Sequence, residues 1–234
     1  MESMGEPTGL ANRLRALPPS CGPVRLVAVD GHAGSGKSTL ADRLARALGG
    51  APVVHLDEVA SHAALFDWVD RLTDQVTGPL SRGETAQVEV YDWERRAYRG
   101  RAPVVPAEVV LLEGVGAGRR ALRPLLAGLL WVDMSPRDAW ERGRRRDGEA
   151  LAGFWDRWTE AERDHFAGDP SYGFAHFLVR EGRTAYEVRP GPAGLPHPTG
   201  HVTAGEEEPG FPAGRPEARR CGLDHGEAQE LRFP

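Results

Sequence analysis

The stretch from Gly31 to Thr39 reads GHAGSGKST and matches the pattern G-x-x-x-x-G-K-[ST]. Lys37, inside this pattern, is the only lysine of the 234-residue chain, whereas arginine occurs throughout the chain. The two residue types are interchangeable on a solvated surface, but a compact ammonium on a flexible stem suits a point between phosphate oxygens better than a planar guanidinium does. The single lysine therefore indicates a loop that binds phosphate.

The segments on either side of this loop have the expected patterns. The apolar, β-branched run VRLVAVDG, residues 24–31, predicts a buried strand. After the loop, Leu40, Leu44 and Leu48 recur at four-residue intervals, which predicts a helix that ends at the glycine pair that follows. Free amides and the helix dipole favour phosphate at such a helix N-terminus. A glycine-rich surface turn before a helix is the alternative, but the order strand, loop, helix favours a phosphate-binding loop, or P-loop.

The P-loop pattern assigns a role to each of its side chains. Lys37 is expected between the β- and γ-phosphates, Ser38 at Mg²⁺, and Thr39 near the α-phosphate. The glycines allow a tight turn with amides directed inward. The residues predicted to bind the nucleotide are Gly31, Gly34, Ser35, Gly36, Lys37, Ser38 and Thr39. The predicted ligands are ATP or GTP with Mg²⁺.

Further apolar segments alternate with helical ones along the chain. The predicted strands are 51–59, 107–115, 128–134 and 175–182, and helical stretches are predicted at 65–80 and 136–166. This alternation predicts an α/β protein: a three-layer sandwich of the P-loop NTPase type with a mostly five-stranded parallel sheet. Residues 1–188 are predicted to form this domain, and the glycine- and proline-rich residues 189–234 a disordered tail.

Two carboxylates follow predicted strands and are expected at the sheet edge where ligands bind. Asp57 is predicted to act as the base for a phosphoryl acceptor, and capping of the next helix is its structural alternative. Glu113 is predicted to hold Mg²⁺, directly or through water, and an exposed loop acid is the alternative.

The motifs VDGHAGSGKSTLADRLA, HLDEV, VYDWERR, LLEGVGA and ERGRRRD occur in one order over about residues 24–182. In this order and spacing they resemble the uridine kinase family of P-loop kinases. The resemblance implies a nucleoside kinase fold and transfer of phosphate from ATP or GTP to a 5′-hydroxyl.

The resemblance also implies roles for individual residues. Asp57 matches the family's catalytic aspartate, and Asp67, in LFDW, matches its sugar-contacting aspartate. Tyr91, in VEVYD, matches its base-contacting tyrosine. Arg142 and Arg146, in RGRRRD, match catalytic arginines of the family. In the family these arginines belong to a lid that closes over the triphosphate.

The acceptor pocket departs from the family pattern more than the phosphate machinery does. Arg96 stands where the family often has a base-contacting histidine, and as a pure donor it suits carbonyl-rich or anionic acceptors. Gly143 replaces a second lid arginine, and Glu89 and Val90 replace the usual proline before the tyrosine.

Several of these residues also have structural interpretations. The arginine cluster could be a solvated helix face paired with nearby acids. Tyr91 and Trp93 could equally be core aromatics, and the aromatic residues Phe154, Trp155 and Trp158 are interpreted as helix packing rather than as substrate contacts.

Composition limits the function classes. The net charge of −5 argues against nucleic-acid binding by bulk charge, the two cysteines lack metal-ligand spacing, and the apolar run 125–132 is too short to span a bilayer. A soluble cytoplasmic protein that binds a nucleoside triphosphate and a small molecule, with neither nucleic acid nor membrane as partner, is expected. The leading hypothesis is a kinase for a nucleoside or for another hydroxylated metabolite, pantothenate-like or sugar-like. The alternative is a regulatory ATPase without an acceptor, and the oligomeric state stays open.

Overall fold

The apolar segments form one six-stranded sheet in a computed structural model that describes residues 7–183 and 185–196. The strands in chain order are β1 (Arg25–Asp30), β2 (Val53–His55), β3 (Ala86–Asp92), β4 (Ala97–Val104), β5 (Val109–Glu113), β6 (Leu126–Val132), β7 (Phe177–Glu181) and β8 (Tyr186–Pro190). The sheet has the order β2-β5-β1-β6-β7-β8, while β3 and β4 form a separate hairpin. The first five strands in this order, β2 to β7, run parallel to one another. The predicted five-stranded parallel sheet is therefore confirmed.

Two parts of this sheet system were not predicted from the sequence. Strand β8 adds an antiparallel edge beside β7, and its Tyr186 and Val188 are buried on one face. The hairpin of β3 and β4 pairs antiparallel from Ala86↔Val104 to Asp92↔Ala97. The hairpin matters for the site because Tyr91 and Trp93 lie at its turn end.

Helices cover both faces of the sheet. They are α1 (Pro7–Arg15), α2 (Lys37–Ala47), α3 (Leu56–Val59), α4 (Val69–Leu72), α5 (Gly78–Ser81), α6 (Pro136–Asp147) and α7 (Ala152–Gly168). A π-helical turn, Thr73–Thr77, joins α4 to α5, so the helix predicted at 65–80 spans 69–81 instead. The stretch predicted at 136–166 is two helices, because Gly148 interrupts it with a φ of 77°.

The strands bury alternate residues on opposite faces, as the two-residue period of a strand requires. In β1, Leu26 and Ala28 pack into one core cluster with residues of α4 and α5, whereas Val27 and Val29 pack into the other with residues of α1 and α2. The sheet therefore lies between two helical layers, and the predicted three-layer sandwich is confirmed.

The predicted boundary between residues 188 and 189 falls inside β8, which continues to Pro190. The Gly191 amide then donates to the His176 carbonyl at 2.9 Å. Residues 197–234, most of the predicted tail, lie outside the described residues, so the division into domain and tail stays a prediction. No helix within 7–183 or 185–196 is both long enough and apolar enough to cross a bilayer.

Candidate active site

The P-loop connects β1 to α2, as the sequence predicts. Lys37 is the first residue of α2, and Gly36 before it has a left-handed backbone with φ of 95°. Gly34 also has a positive φ, 83°, and a Cβ there would overlap the carbonyl of Ala139 in α6. The loop therefore needs glycine at position 34 for two reasons: its backbone conformation and its close packing against α6.

A cleft of about 540 Å³ opens beside the loop at the carboxyl ends of the strands. The predicted site residues that line it are Gly34, Gly36, Lys37, Ser38, Thr39, Asp57, Tyr91, Glu113, Arg142 and Arg146. These residues come from separate parts of the chain, and the parallel sheet brings them to one edge.

Four predicted site residues do not line this cleft. Gly31 and Ser35 are buried within the loop, where the Gly31 amide donates to Asp30 Oδ1 at 2.7 Å. Asp67 is exposed beside Arg119, and Arg96 is exposed in the β3–β4 turn with a φ of 53°. Neither Asp67 nor Arg96 lines the cleft, although Arg96 lies close enough to His62, the partner of Tyr91, to affect its pKa. The contacts of Asp67 and Arg96 with an acceptor stay predictions.

Lys37 is buried at 7% exposure, and its Nζ donates to the carbonyl of His32 at 3.0 Å. The ammonium thus lies over the P-loop rather than pointing into solvent. Ser38 and Thr39, in the first turn of α2, are exposed to the cleft. This helix start presents free amides, hydroxyls and one ammonium to the same space, which suits a polyphosphate.

Asp57 lies in the first turn of α3, two residues after β2 ends at His55, and not at the strand end as predicted. The residue before α3 is His55, so the alternative of Asp57 as the helix cap is not what the structure has. Asp57 is accessible to solvent within the cleft. The surrounding protein and the nearby Glu113 carboxylate raise its pKa above the ordinary value of 3.8, against the opposing charge of Lys37.

Glu113, the last residue of β5, is buried at 5% exposure, which excludes the interpretation as an exposed loop acid. Strand pairing places it opposite His55 of β2, and its Oε2 lies 2.8 Å from His55 Nδ1. This hydrogen bond orients the carboxylate and raises the pKa of His55 above 6.5.

The arginines of α6 divide into two groups. Arg142 and Arg146 line the cleft, and they pair with Glu181 at 2.9 Å and Asp147 at 2.6 Å. The two arginines Arg144 and Arg145 instead pair with the exposed acids Asp156 and Glu141. The helix α6 thus has a solvated, ion-paired face and a second face toward the cleft, and the role of Arg142 and Arg146 as lid arginines stays a prediction.

Trp155 explains why the position of the second lid arginine carries glycine. A Cβ on Gly143 would overlap the Trp155 indole, which packs against the α6 backbone. The indole is fixed there because its Nε1 donates to Asp147 Oδ2 at 3.0 Å. An arginine at position 143 would have to displace this tryptophan.

The aromatic residues of α7 form part of the cleft wall. Phe154, Trp155 and Trp158 all line the cleft, together with the hairpin residues Tyr91 and Trp93. The cleft therefore has a charged end at the P-loop and an aromatic side formed by α7 and the hairpin. The prediction that the α7 aromatics serve helix packing rather than substrate contact stays a prediction.

Hydrogen bonds hold the hairpin aromatics in place. Trp93 Nε1 donates to the carbonyl of Asp57 at 2.9 Å, and the Tyr91 hydroxyl lies 3.0 Å from His62 Nδ1. His62 was not predicted, because no motif surrounds it and only the fold brings it beside the hairpin. Burial, followed by the charge of Arg96, lowers the pKa of His62 below 6.5.

Two further carboxylates that the sequence reading missed hold the loops of the site. Asp30, fully buried at the end of β1, accepts from the amides of Gly31, Gly116 and Gly118 at 2.7 to 2.9 Å. Its position directly before the P-loop was the available signal. Glu162, in α7, contacts the P-loop itself. It had no local signal, because it lies about 130 residues from its loop partners.

The oxygen donors Ser38, Asp57 and Glu113 share the cleft with Lys37, and hard oxygen ligands are those that Mg²⁺ prefers. The described ranges contain no group of three or more His, Cys, Asp or Glu side chains that could hold a metal ion alone. This donor set fits Mg²⁺, which is commonly bound by one or two carboxylates together with water and substrate phosphates.

No protein-family model and no curated protein sequence matches this chain. Solved structures do. A putative fructose transport system kinase from Silicibacter sp. TM1040 is 22% identical with a TM-score of 0.50, and the match covers 69% of this chain and 88% of that one. A possible uridine kinase from Bacillus stearothermophilus is 20% identical with a TM-score of 0.49, over 67% and 93% of the two chains.

At these levels of sequence identity, the matches show similarity of fold and nothing about function. Together with the P-loop at the start of α2 and the parallel sheet, the match to the Silicibacter structure shows a P-loop α/β fold that the two chains share. The predicted α/β fold of the P-loop type is thereby confirmed.

Proposed function

We propose that this protein is a small-molecule kinase that transfers the γ-phosphate of ATP to a hydroxyl group. The observation that carries the proposal is the shared cleft, in which Lys37 and the start of α2 lie with Asp57 and an aromatic side. A phosphate-binding end, a candidate base and a surface for a second molecule are the three parts that such a reaction needs.

One group of residues in the cleft binds the triphosphate and its metal ion in this proposal. Lys37 and the amides at the start of α2 neutralise and orient the triphosphate, and Arg142 and Arg146 face the same space from α6. Mg²⁺, held by Ser38 and Glu113, would neutralise charge on the phosphates. Glu113 is held for this role by its hydrogen bond with His55.

Asp57 accepts the proton of the attacking hydroxyl in this proposal. The acceptor oxygen forms a bond to the γ-phosphorus, the bond to the bridging oxygen breaks, and ADP leaves. The raised pKa of Asp57 makes its carboxylate a better proton acceptor than an ordinary aspartate.

The aromatic side of the cleft favours a planar or largely apolar acceptor that carries a hydroxyl, such as a nucleoside with its 5′-hydroxyl. Arg96 lies outside the cleft lining, so the case for an anionic acceptor that rested on it is weaker than the sequence suggested. Another hydroxylated metabolite, pantothenate-like or sugar-like, is the alternative acceptor.

The test is a screen for ADP release from ATP and Mg²⁺ that an added acceptor stimulates. The panel contains uridine, cytidine, pantothenate and fructose, and the mass of the product identifies the phosphorylated compound. The Asp57→Asn variant should keep ATP affinity and lower turnover by about two to four orders of magnitude. Asp42→Asn, on the exposed face of α2, is the matched control and should behave as wild type.

ATP hydrolysis that no member of a broad acceptor panel stimulates would instead support the regulatory ATPase. A loss of ATP affinity in Asp57→Asn, with normal turnover per bound complex, would make Asp57 a ligand for the nucleotide or its metal rather than the base.

A further inference from the structure

The carboxylate of Glu162, in α7, is completely buried and contacts the P-loop. Its Oε1 lies 2.7 Å from Nδ1 of His32, and its Oε2 accepts the amide of Ala33 at 3.1 Å. His32 and Ala33 are the first two variable residues of the P-loop pattern. One side chain from a distant helix thus holds both the side chain and the backbone of the loop.

Two indoles complete the surroundings of this carboxylate. Trp140 of α6 donates to Oε1 at 3.0 Å, and Trp158 of α7 donates to Oε2 at 2.9 Å. Each carboxylate oxygen therefore has two partners, which is the condition under which a buried charge is tolerated. Three separate elements, the P-loop, α6 and α7, meet at this one group.

The environment keeps Glu162 ionised. Burial by itself would raise the pKa of its carboxyl, but the hydrogen bond with His32, the charges of Lys37 and His32, and the Ala33 amide together lower it. A charged acceptor makes these hydrogen bonds stronger than bonds between neutral groups.

The loop residue that Glu162 holds also contacts the functional lysine. The carbonyl of His32 accepts from Lys37 Nζ at 3.0 Å, so the position of His32 affects where the ammonium lies. Trp158, which donates to the other oxygen of Glu162, lines the cleft. One hydrogen bond thus links Glu162 to Trp158 in the cleft wall. Two hydrogen bonds in series, through His32, link it to the ammonium of Lys37.

We propose that Glu162 is a positioning residue that holds the P-loop, through His32 and Ala33, in the conformation that receives the triphosphate. This inference rests on the proposed function, because it requires that the loop bind ATP. A loop held in its binding conformation before the ligand arrives loses less conformational freedom on binding, so the clamp raises affinity without touching the ligand.

The test breaks the contact from the loop side, so that the buried carboxylate stays in place. His32→Phe retains a ring for the contacts with Trp131 and Phe166, at 5.3 and 5.1 Å, but removes the hydrogen bond to Glu162. We expect the dissociation constant for ATP, measured by calorimetry, to rise by about tenfold or more. His32→Asn, whose side-chain amide can donate from nearly the place of Nδ1, should restore most of the affinity.

The control removes a different donor from the same oxygen. Trp140→Phe takes one hydrogen bond from Oε1 but leaves both hydrogen bonds between Glu162 and the P-loop in place. Phe also keeps a ring for the edge contact with His32, at 5.9 Å, and beneath Arg163. It should destabilise the protein to unfolding by urea about as much as His32→Phe does, while ATP affinity stays within about twofold of wild type.

A double-mutant cycle then assigns the effect to the pair. In a Glu162→Gln background, His32→Phe should weaken ATP binding far less than it does in wild type. Circular dichroism and urea unfolding of every variant establish that folded protein is being compared.

The outcomes separate this inference from the proposed function. If the wild-type protein does not bind ATP, the proposed function fails. If the wild type binds but His32→Phe binds equally well, or if Trp140→Phe weakens binding as much as His32→Phe, the positioning role of Glu162 is overturned and the proposed function stands.

Discussion

Lys37 illustrates at the scale of one residue how chemistry restricts a position. Lys37 is buried, and its ammonium donates a hydrogen bond to the His32 carbonyl of the P-loop. An arginine keeps the charge but is larger, planar and unable to occupy the same point. A chain that uses arginine everywhere else therefore retains lysine here.

We expect Lys37→Arg to lower phosphoryl transfer by at least about a hundredfold while the protein stays folded, because a positioned donor to the transferred phosphate is lost. The measurement is turnover with the acceptor that the screen identifies, with circular dichroism as the folding test. Arg46→Lys, on the exposed face of the same helix, is the control and should leave turnover unchanged. Normal turnover in Lys37→Arg would refute the role given to the lysine.

His55 allows a prediction on pH. Its pKa is raised above 6.5 in the folded protein by the hydrogen bond with Glu113, so the protonated form is the one that folding favours. The stabilisation is therefore complete below about pH 6.5 and is lost as the pH rises through the folded pKa. Because a third of the His55 side chain is exposed, we expect an effect of about 1 kcal/mol or less.

The measurement is urea unfolding of wild type and His55→Asn from about pH 5 to about pH 9, without nucleotide or metal. The difference in free energy of unfolding between the two should shrink as the pH rises. His176 is the control with the opposite pH dependence. Burial lowers the pKa of His176, so its protonation at low pH is disfavoured in the folded state and stability is lost as the pH falls. A difference for His55→Asn that is constant with pH would contradict the ion pair with Glu113.

At the scale of elements, the cleft depends on how α6 and α7 pack. Gly34 of the P-loop lies against the α6 backbone, and Gly143 of α6 lies against Trp155 of α7. Gly34 thus lets the P-loop backbone approach α6 closely, and Gly143 leaves room for the Trp155 indole, which also forms part of the cleft wall.

We expect Gly143→Ala to lower the free energy of unfolding by about 1–3 kcal/mol, because its methyl group would overlap the Trp155 indole. Urea unfolding measures this cost. Gly153→Ala in α7, where a Cβ meets nothing within 4 Å, should change stability by less than about 0.5 kcal/mol. In a Trp155→Ala background the cost of Gly143→Ala should disappear, and an unchanged cost there would show that the clash lies elsewhere.

At the scale of the whole molecule, β8 determines where the chain can be shortened. Its Tyr186 and Val188 are buried against the same core cluster as α1 and α2, and the sheet edge depends on their strand. A chain that ends after residue 196 keeps the whole sheet, whereas one that ends at residue 185 loses β8.

We expect the chain that ends at residue 196 to match the full chain in melting temperature and ATP affinity, since the glycine- and proline-rich remainder has little apolar surface to bury. The chain that ends at residue 185 should melt several degrees lower, because it exposes the two buried side chains of β8. A large loss on removing only residues 197–234 would show that this segment contributes to folding.

Local patterns in the sequence determined the P-loop, the order of strands and helices and the parallel sheet. Gly36, Lys37 and Ser38 are contiguous, so their spacing alone predicts a helix start that binds phosphate. Alternating apolar segments likewise predict layers, because each segment must bury its own apolar face.

Tertiary structure decided the contacts between residues distant in sequence. The pairing of His55 with Glu113, the packing of Trp155 on Gly143 and the contact of Glu162 with the P-loop have no local pattern. The position of Arg96 is a further example. Its place after the YD of the resemblance predicts an acceptor contact, but in the folded chain it lies in the hairpin turn and does not line the cleft. Which side chains meet across such distances depends on how helices and hairpins pack on the sheet, and sequence spacing contains no record of that packing.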